Sequence, residues 1–314
     1  LKPFNCYSIG VFQLLVNLGW TYLTPAEALA ARGDRRSRVL LTNVLTEQLG
    51  KMNRIRTRGE VLPFSDSNIY AAVQALEELP FDGLIRTNEQ AYDLLRLGKS
   101  FPQLVKGNLA SYNLHYIDWN DITANVFHVT EEFSVEVQGS KETRRPDLVL
   151  FVNGIPLGVI ECKHPGIKEP LKEAISQQIR NQKDGEIPAL FVTAQLLLAT
   201  AVNAVKYATV GTSEKFWAIW REEQDEARLL ELVNRPLPAN VNDRLFGDRF
   251  HYLRRYFDAL QSTGREVTEQ DRVINALCRP ERLLQLARRF VLFDAGEKKI
   301  ARWQQFFCLN KLMD

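Results

Sequence analysis

No part of this chain limits its fold more than Arg145 to Pro165, Arg-Pro-Asp-Leu-Val-Leu-Phe-Val-Asn-Gly-Ile-Pro-Leu-Gly-Val-Ile-Glu-Cys-Lys-His-Pro. Two short apolar runs, Leu148 to Val152 and Leu157 to Ile160, flank Asn153-Gly154. Runs of that length read as strands, and an Asn-Gly between them reads as a hairpin turn. Neither run alternates with polar residues, so both faces of the strands are buried and the sheet needs cover on both sides. The pattern breaks at three charges, Asp147 before the first strand and Glu161 and Lys163 at the end of the second. Burying such groups unpaired is costly, so they need a reason to be there.

Strand parity supplies one. Glu161 and Lys163 share a face and Cys162 points away. A two-residue loop pairs Val152 with Ile155 and sends Asp147 to the opposite face. A three-residue loop, Val152-Asn153-Gly154, with Gly154 left-handed in a bulge, pairs Asp147 with Val159 and gathers all three charges on one face. The bulged loop is therefore predicted.

At 314 residues the chain is long enough for about two domains. A net charge of +2 offers no bulk attraction to nucleic acid, so any basic surface must be local. No apolar run approaches the ~20 residues of a membrane span. Cys6, Cys162, Cys278 and Cys308 have no zinc spacing and read as buried thiols in a reducing compartment, the cytoplasm. The chain starts at Leu1, so its natural start is expected to lie upstream.

Residues 1 to 60 read as helical, with an apolar run from Phe12 that stops at Gly19 and a second helix over Arg36 to Met52. Ser65 caps a helix carrying Ile69, Val73 and Leu76, and another spans Thr87 to Leu97. From about Leu104 the period shortens, and Asn125 to Val137 alternates as strands do. After the central hairpin, Ile167 to Gln182 places Ile167, Leu171, Ala174, Ile175 and Ile179 on one helical stripe. Ile187 to Thr193, Leu196 to Ala201 and Val205 to Val210 read as further strands. Glu222, Glu223, Asp225 and Glu226 read as a solvated helix face, and Trp217 and Trp220 as core. Arg235 to Asn240 is the best linker, followed by helices over Asp248–Leu260, Glu269–Leu277, Glu281–Phe290 and Ile300–Asn310. The order predicts an α/β (α+β) fold, a mixed β-sheet flanked by helices.

Two carboxylates and a lysine on adjoining strand ends suit a divalent-metal hydrolase. Asp147 and Glu161 offer hard oxygen ligands for Mg2+ or Mn2+, and the Cys162 backbone carbonyl adds another. Lys163 is placed to position the attacking water or to steady charge on the phosphate. Lys141, Arg144 and Arg145 precede the first strand and are candidates for phosphate contact. Glu131, Glu132 or Glu136 could join the metal, but parity alone does not choose among them. His164 either meets DNA or caps a strand end. Glu-x-Lys by itself is commonly a surface ion pair. The added Pro-Asp, with thirteen residues between its Asp and the Glu, and the amphipathic helix after it make the PD-(D/E)xK nuclease pattern.

Asn125 to Thr130, Arg145 to Pro156, Val159 to Pro165, Ile187 to Phe191 and Lys206 to Gly211 together resemble, in this order, the restriction (motor) subunit of type I restriction–modification enzymes. Weaker similarity covers Gly19-Trp20, Leu40 to Asn53, Pro280 to Phe293 and Ile300 to Asn310. The resemblance implies a restriction-endonuclease-like PD-(D/E)xK core with Asp147, Glu161 and Lys163 catalytic. It also implies a Gln-x-x-x-Tyr signature on the following helix. Gln178 fits the glutamine and is assigned to the site, while Gln182 stands where the tyrosine belongs. Gln182 shares a helix face with Gln178 and is placed to reach a phosphate or base.

Residues 1–234 are then an N-terminal endonuclease domain, with its core at about 110–220, and 235–314 the linker and helical start of a helicase-like motor. Gln305 resembles the adenine-reading glutamine of such motors, but no Gly-x4-Gly-Lys-Ser/Thr follows. The chain is thus expected to be a fragment, with ATP bound only by the full-length subunit. The implied partners are double-stranded DNA and the methyltransferase and specificity subunits. A module that only docks the motor onto those subunits is the alternative.

Overall fold

The computed structural model describes residues 6–57, 59–247 and 250–313, without the side chains of Cys6, Tyr7 and Met313. The buried-thiol expectation for Cys6 therefore lies outside the described residues, as does the Asp248 start of one predicted helix. A six-stranded mixed sheet organises the chain. Its strands run side by side in sequence order: β1 (Thr21–Tyr22), β2 (Phe127–Glu131), β3 (Leu148–Val152), β4 (Ile155–Cys162), β5 (Leu196–Ala201) and β6 (Ala204–Ala208). The β1–β2 and β4–β5 pairs are parallel and the other three antiparallel. Parallel neighbours need a crossover, and helix α2 (Pro170–Asn181) carries the chain from β4 to β5.

Every residue of β3, β4 and β5 is buried, as two-sided apolar runs require. Alternation divides them between two core layers. Leu148, Leu150, Ile160, Leu196 and Leu198 face one layer, which includes helices α1 (Cys6–Asn17) and α3 (Glu269–Cys278). Val149, Phe151, Val159, Leu197 and Ala199 face the other, with Ala174 and Ile175 of α2. Full burial of side chains of this size is worth about 1.5–3 kcal/mol each, which makes the central strands the fold's main anchor.

The hairpin differs from the predicted one. Val152 pairs with Ile155 across a two-residue turn, and Asn153 and Gly154 are both left-handed, at φ 52° and 82°. That turn follows the natural strand twist. Gly154 is required there, since a Cβ would stand 2.6 Å from the Leu41 carbonyl oxygen. Asn153 tolerates its conformation because its buried side chain accepts from the Val126 N–H and donates to Tyr116 O and Asn125 Oδ1. The extra residue is absorbed instead between Pro156 and Gly158. Proline has no N–H for the ladder, so inside a central strand it belongs at a bulge.

Three other expectations change. Ile187 to Thr193 is not a strand: Pro188–Phe191 forms a 3-10 turn, with Pro188 at its first position and the Asn88 amide donating to the carbonyls of Phe191, Val192 and Ala194. The second helix starts at Thr42, not Arg36, because the chain before it bends to bring the Leu41 N–H to Gly154 O. Glu222 is not on a solvated helix face. It precedes the helix Glu226–Asn234 and pairs with Arg282 at 2.8 Å, with the Trp220 indole donating to it as well. Trp217 and Trp220 are buried, as predicted. Cys162 and Cys278 are buried thiols, whereas Cys308 is exposed on the last helix.

Chain on both sides of residue 235 shares one core. Helix α1 packs on α3, and the Trp20 indole donates to Cys278 O at 2.8 Å. Gln13 and Asn17 donate to Arg235 O, and Leu237 is buried. Beyond α3 come helix α4 (Pro280–Arg289), an unpredicted hairpin over Val291–Asp294 and Glu297–Ile300, and helix α5 (Trp303–Met313). No described helix is long and apolar enough to cross a membrane.

Candidate active site

The bulge in β4 builds the site. Beyond it, Leu148 pairs with Ile160. One step further along that register, Asp147 stands opposite Glu161, and opposed residues of an antiparallel pair share a face. The three charges therefore lie on one face, as parity requires, although the extra residue sits at Leu157 and not in the turn. The face is the one covered by α2.

Asp147 Oδ2 accepts the Cys162 N–H at 2.7 Å, which holds the carboxylate against the end of β4. Glu161 is wholly buried. Its Oε2 accepts from the Gln177 amide at 2.7 Å, while Oε1 is buried with no hydrogen-bond partner. Lys163 is also buried, and its ammonium donates to Gln177 Oε1 at 2.5 Å while standing 3.8 Å from Glu161 Oε2.

Burial raises the Asp147 carboxyl above the ordinary carboxylate range, against the opposing pull of the Cys162 N–H and Lys163. Burial, then the adjacent Asp147, lifts Glu161 well above its usual value. The two acids titrate as a pair that resists carrying two negative charges. Glu161 Oε1, buried without a hydrogen-bond partner, is an acceptor that a cation would fit. Among the described residues no cluster of three or more His, Cys, Asp or Glu side chains suits a metal. Two carboxylates are the number of protein ligands that Mg2+ commonly takes.

The remaining predicted residues scatter. Gln178 is fully buried and turned from the carboxylates; its amide donates to Val159 O and Leu198 O, tying α2 to two neighbouring strands. Gln182 is turned inward too, accepting from the Gly211 N–H and donating to Gln178 O, so it is not presented to a phosphate or base. Arg144 is clamped by Glu186 at 2.7 Å, whereas Lys141 and Arg145 are exposed. His164 Nδ1 accepts the Gly166 N–H at 2.9 Å and so caps the turn after β4. Glu131, in register with Leu148, lies on the opposite face from Asp147 and accepts from the Tyr22 hydroxyl. Gln305 is remote, on α5, where it accepts from the Arg302 N–H and lines a recess of about 440 Å3 with Tyr207 and Phe216.

Gln177 is the site residue that the sequence reading passed over. Its only signal is its place beside Gln178, since residues on adjacent helix positions differ by about 100° in direction.

Residues 9–216 match the family described as type I restriction enzyme R protein N terminus. The type I restriction enzyme HindI endonuclease subunit of Haemophilus influenzae is 28% identical over 96% of this chain. A Methanocaldococcus jannaschii protein proposed as the type I restriction enzyme MjaIXP endonuclease subunit is 25% identical over 96% of the chain. The chain spans 26% of the length of each of these two relatives.

Proposed function

Because this chain belongs to the family of type I restriction enzyme R protein N termini, we propose that its Asp147–Glu161–Lys163 cluster is the DNA-cleaving centre of a type I restriction endonuclease subunit. The observation that carries this reading is the convergence of two strand-end carboxyls and a buried lysine on one face, with one oxygen of Glu161 left unsatisfied. Asp147, oriented by the Cys162 N–H, and Glu161 would hold a Mg2+ or Mn2+ ion, which would supply an activated water and offset charge on the phosphodiester. Lys163 steadies the phosphate oxygens as they gain charge. Arg145 and Lys141, exposed just before β3, contact the DNA backbone.

In the full-length subunit, ATP-driven movement precedes cleavage and Gln305 belongs to the nucleotide site. The partners of that subunit are double-stranded DNA and the methyltransferase and specificity subunits. The complete complex carrying Asp147→Ala or Lys163→Ala tests the assignment. Each change should lower cleavage by at least ~10³-fold, about 4 kcal/mol, while ATP hydrolysis continues. Undiminished cutting by either variant refutes it.

A further inference from the structure

We infer that a recess beside the edge strand β6 binds a DNA backbone phosphate a few nucleotides from the one being cleaved, with Lys206 and Arg221 as its cations. The DNA comes from the nuclease reading above, on which this rests. In the sheet, Glu161 of β4 is in register with Ala199 of β5, and Ala199 with Lys206 of β6. Side chains in one such row share a face. Lys206 therefore stands on the face of Glu161, two strand spacings away, or roughly 10 Å. That is about three nucleotides of rise along one strand of a duplex. Helix α2 lies between the two, tied to Leu198 O of β5 by Gln178. On one flank of α2 Gln177 meets Glu161, and on the other Leu171 lines the recess with Lys206.

The recess has a volume of about 510 Å3, and its walls include Leu171, Asn203, Lys206, Arg221 and Glu269. Its balance of charge favours an anion, because two of its other charged groups are already committed. Glu222 pairs with Arg282 at 2.8 Å and accepts from the Trp220 indole, and Arg272 pairs with Glu226 at 2.8 Å. Among the described residues, the side chains of Lys206 and Arg221 have no hydrogen-bond or ion-pair partner. Two uncommitted cations thus face the carboxylate of Glu269. The turn at the rim is strained. Val202 is left-handed at φ 38°, an outlier for a β-branched residue, and is held there by the Gln270 N–H, which donates to Val202 O at 2.8 Å. Such strain collects at ligand sites, and here it sets the exposed Asn203 at the recess, where an amide can donate to a phosphate oxygen. Lys206 adds a compact charge and Arg221 a planar fork that matches phosphate geometry.

Two measurements on the whole chain test this. In the first, fluorescence anisotropy follows binding of a labelled duplex of arbitrary sequence over a series of KCl concentrations. Lys206→Gln and Arg221→Gln should each weaken binding and lower the slope of log K against log salt by about 1, whatever the sequence. Lys206→Arg should keep the wild-type slope. Glutamine variants with the wild-type slope, or a wild-type chain that does not bind the duplex at low salt, overturn the inference. In the second, acetylation of lysines in the wild-type chain is read by mass spectrometry, so no variant has to fold. Duplex at ten times its Kd should slow acetylation of Lys206 about tenfold. Inorganic phosphate and ATP at the same phosphate concentration should not. Lys206 unprotected by duplex, or protected by ATP and not by duplex, overturns DNA as the occupant. Cleavage by the complete complex separates the two readings. If Asp147→Ala cuts undiminished while duplex still protects Lys206, the nuclease centre is misassigned and the recess stands. If Asp147→Ala abolishes cutting and Lys206 is unprotected, only the recess falls.

Discussion

Glu161→Gln should make this protein more stable while abolishing its proposed chemistry. In the wild-type chain, burial and Asp147 hold the Glu161 carboxyl well above its ordinary value of 4.5, and Asp147 is raised as well. The folded state therefore binds these protons more tightly than the unfolded chain does. Their contribution to stability is complete below the ordinary carboxylate range and drains away as pH rises through the elevated folded values. A glutamine carries no charge, can accept from the Gln177 amide as Glu161 Oε2 does, and can turn its own NH2 toward Asp147. Replacing an unfavourable buried charge in this way is worth about 1–3 kcal/mol near pH 8 and close to nothing near pH 4. For a chain of this size that is a Tm increase of roughly 2–6 °C. Mg2+ should act in the opposite sense, stabilising wild type by about 2.7 kcal/mol at a hundred times its Kd and leaving the variant unmoved. Thermal unfolding followed by circular dichroism from pH 4 to pH 8.5, with and without MgCl2, measures all of this. A variant that melts lower than wild type at pH 8, or that keeps the wild-type pH slope, refutes the reasoning.

Four further outcomes are expected. Lys298→Ala strands Asn88 Oδ1, Ala194 O and Gln195 Oε1, all of which accept from the buried ammonium; urea denaturation should show a loss of about 3–5 kcal/mol. Gly154→Ala puts a Cβ 2.6 Å from Leu41 O at a φ of 82° and should cost about 2–4 kcal/mol by the same assay. Arg145→Ala should weaken DNA binding by a similar factor for all sequences and lower the salt slope of fluorescence anisotropy titrations by about 1. Arg144→Ala, which breaks the Glu186 pair, should leave that slope unchanged and lower stability by about 1 kcal/mol.

Much of this structure can be read from local pattern. The two-sided apolar runs declared a buried sheet, Ser65 marked a helix start that the structure confirms, and the stripe from Leu171 to Ile179 placed α2 against the core. Parity put Glu161 and Lys163 on one face, and Asp147 joins them only through a bulge, which was expected in the turn and lies at Leu157. The Val291–Ile300 hairpin carried a usable signal, the Ala295-Gly296 turn, in a segment left unassigned. Pro156 likewise marked the bulge, but only for a strand with neighbours on both sides, which depends on β5 arriving after the crossover.

The sequence by itself determined which charges belong together, because strand alternation and helical spacing are properties of the backbone. Tertiary structure alone decided how those charges are partnered. Gln177 and Gln178 are chemically identical neighbours, and no periodicity tells which will meet the strand's charged end and which its carbonyls. That choice follows from the rotation of α2, set by contacts with Val159, Leu198 and Gly211 on separate strands and loops. Arg144 and Arg145 are divided in the same way, by the distant arrival of Glu186. Such pairings depend on side-chain directions fixed by packing across the whole domain, and packing is not a local property of the chain.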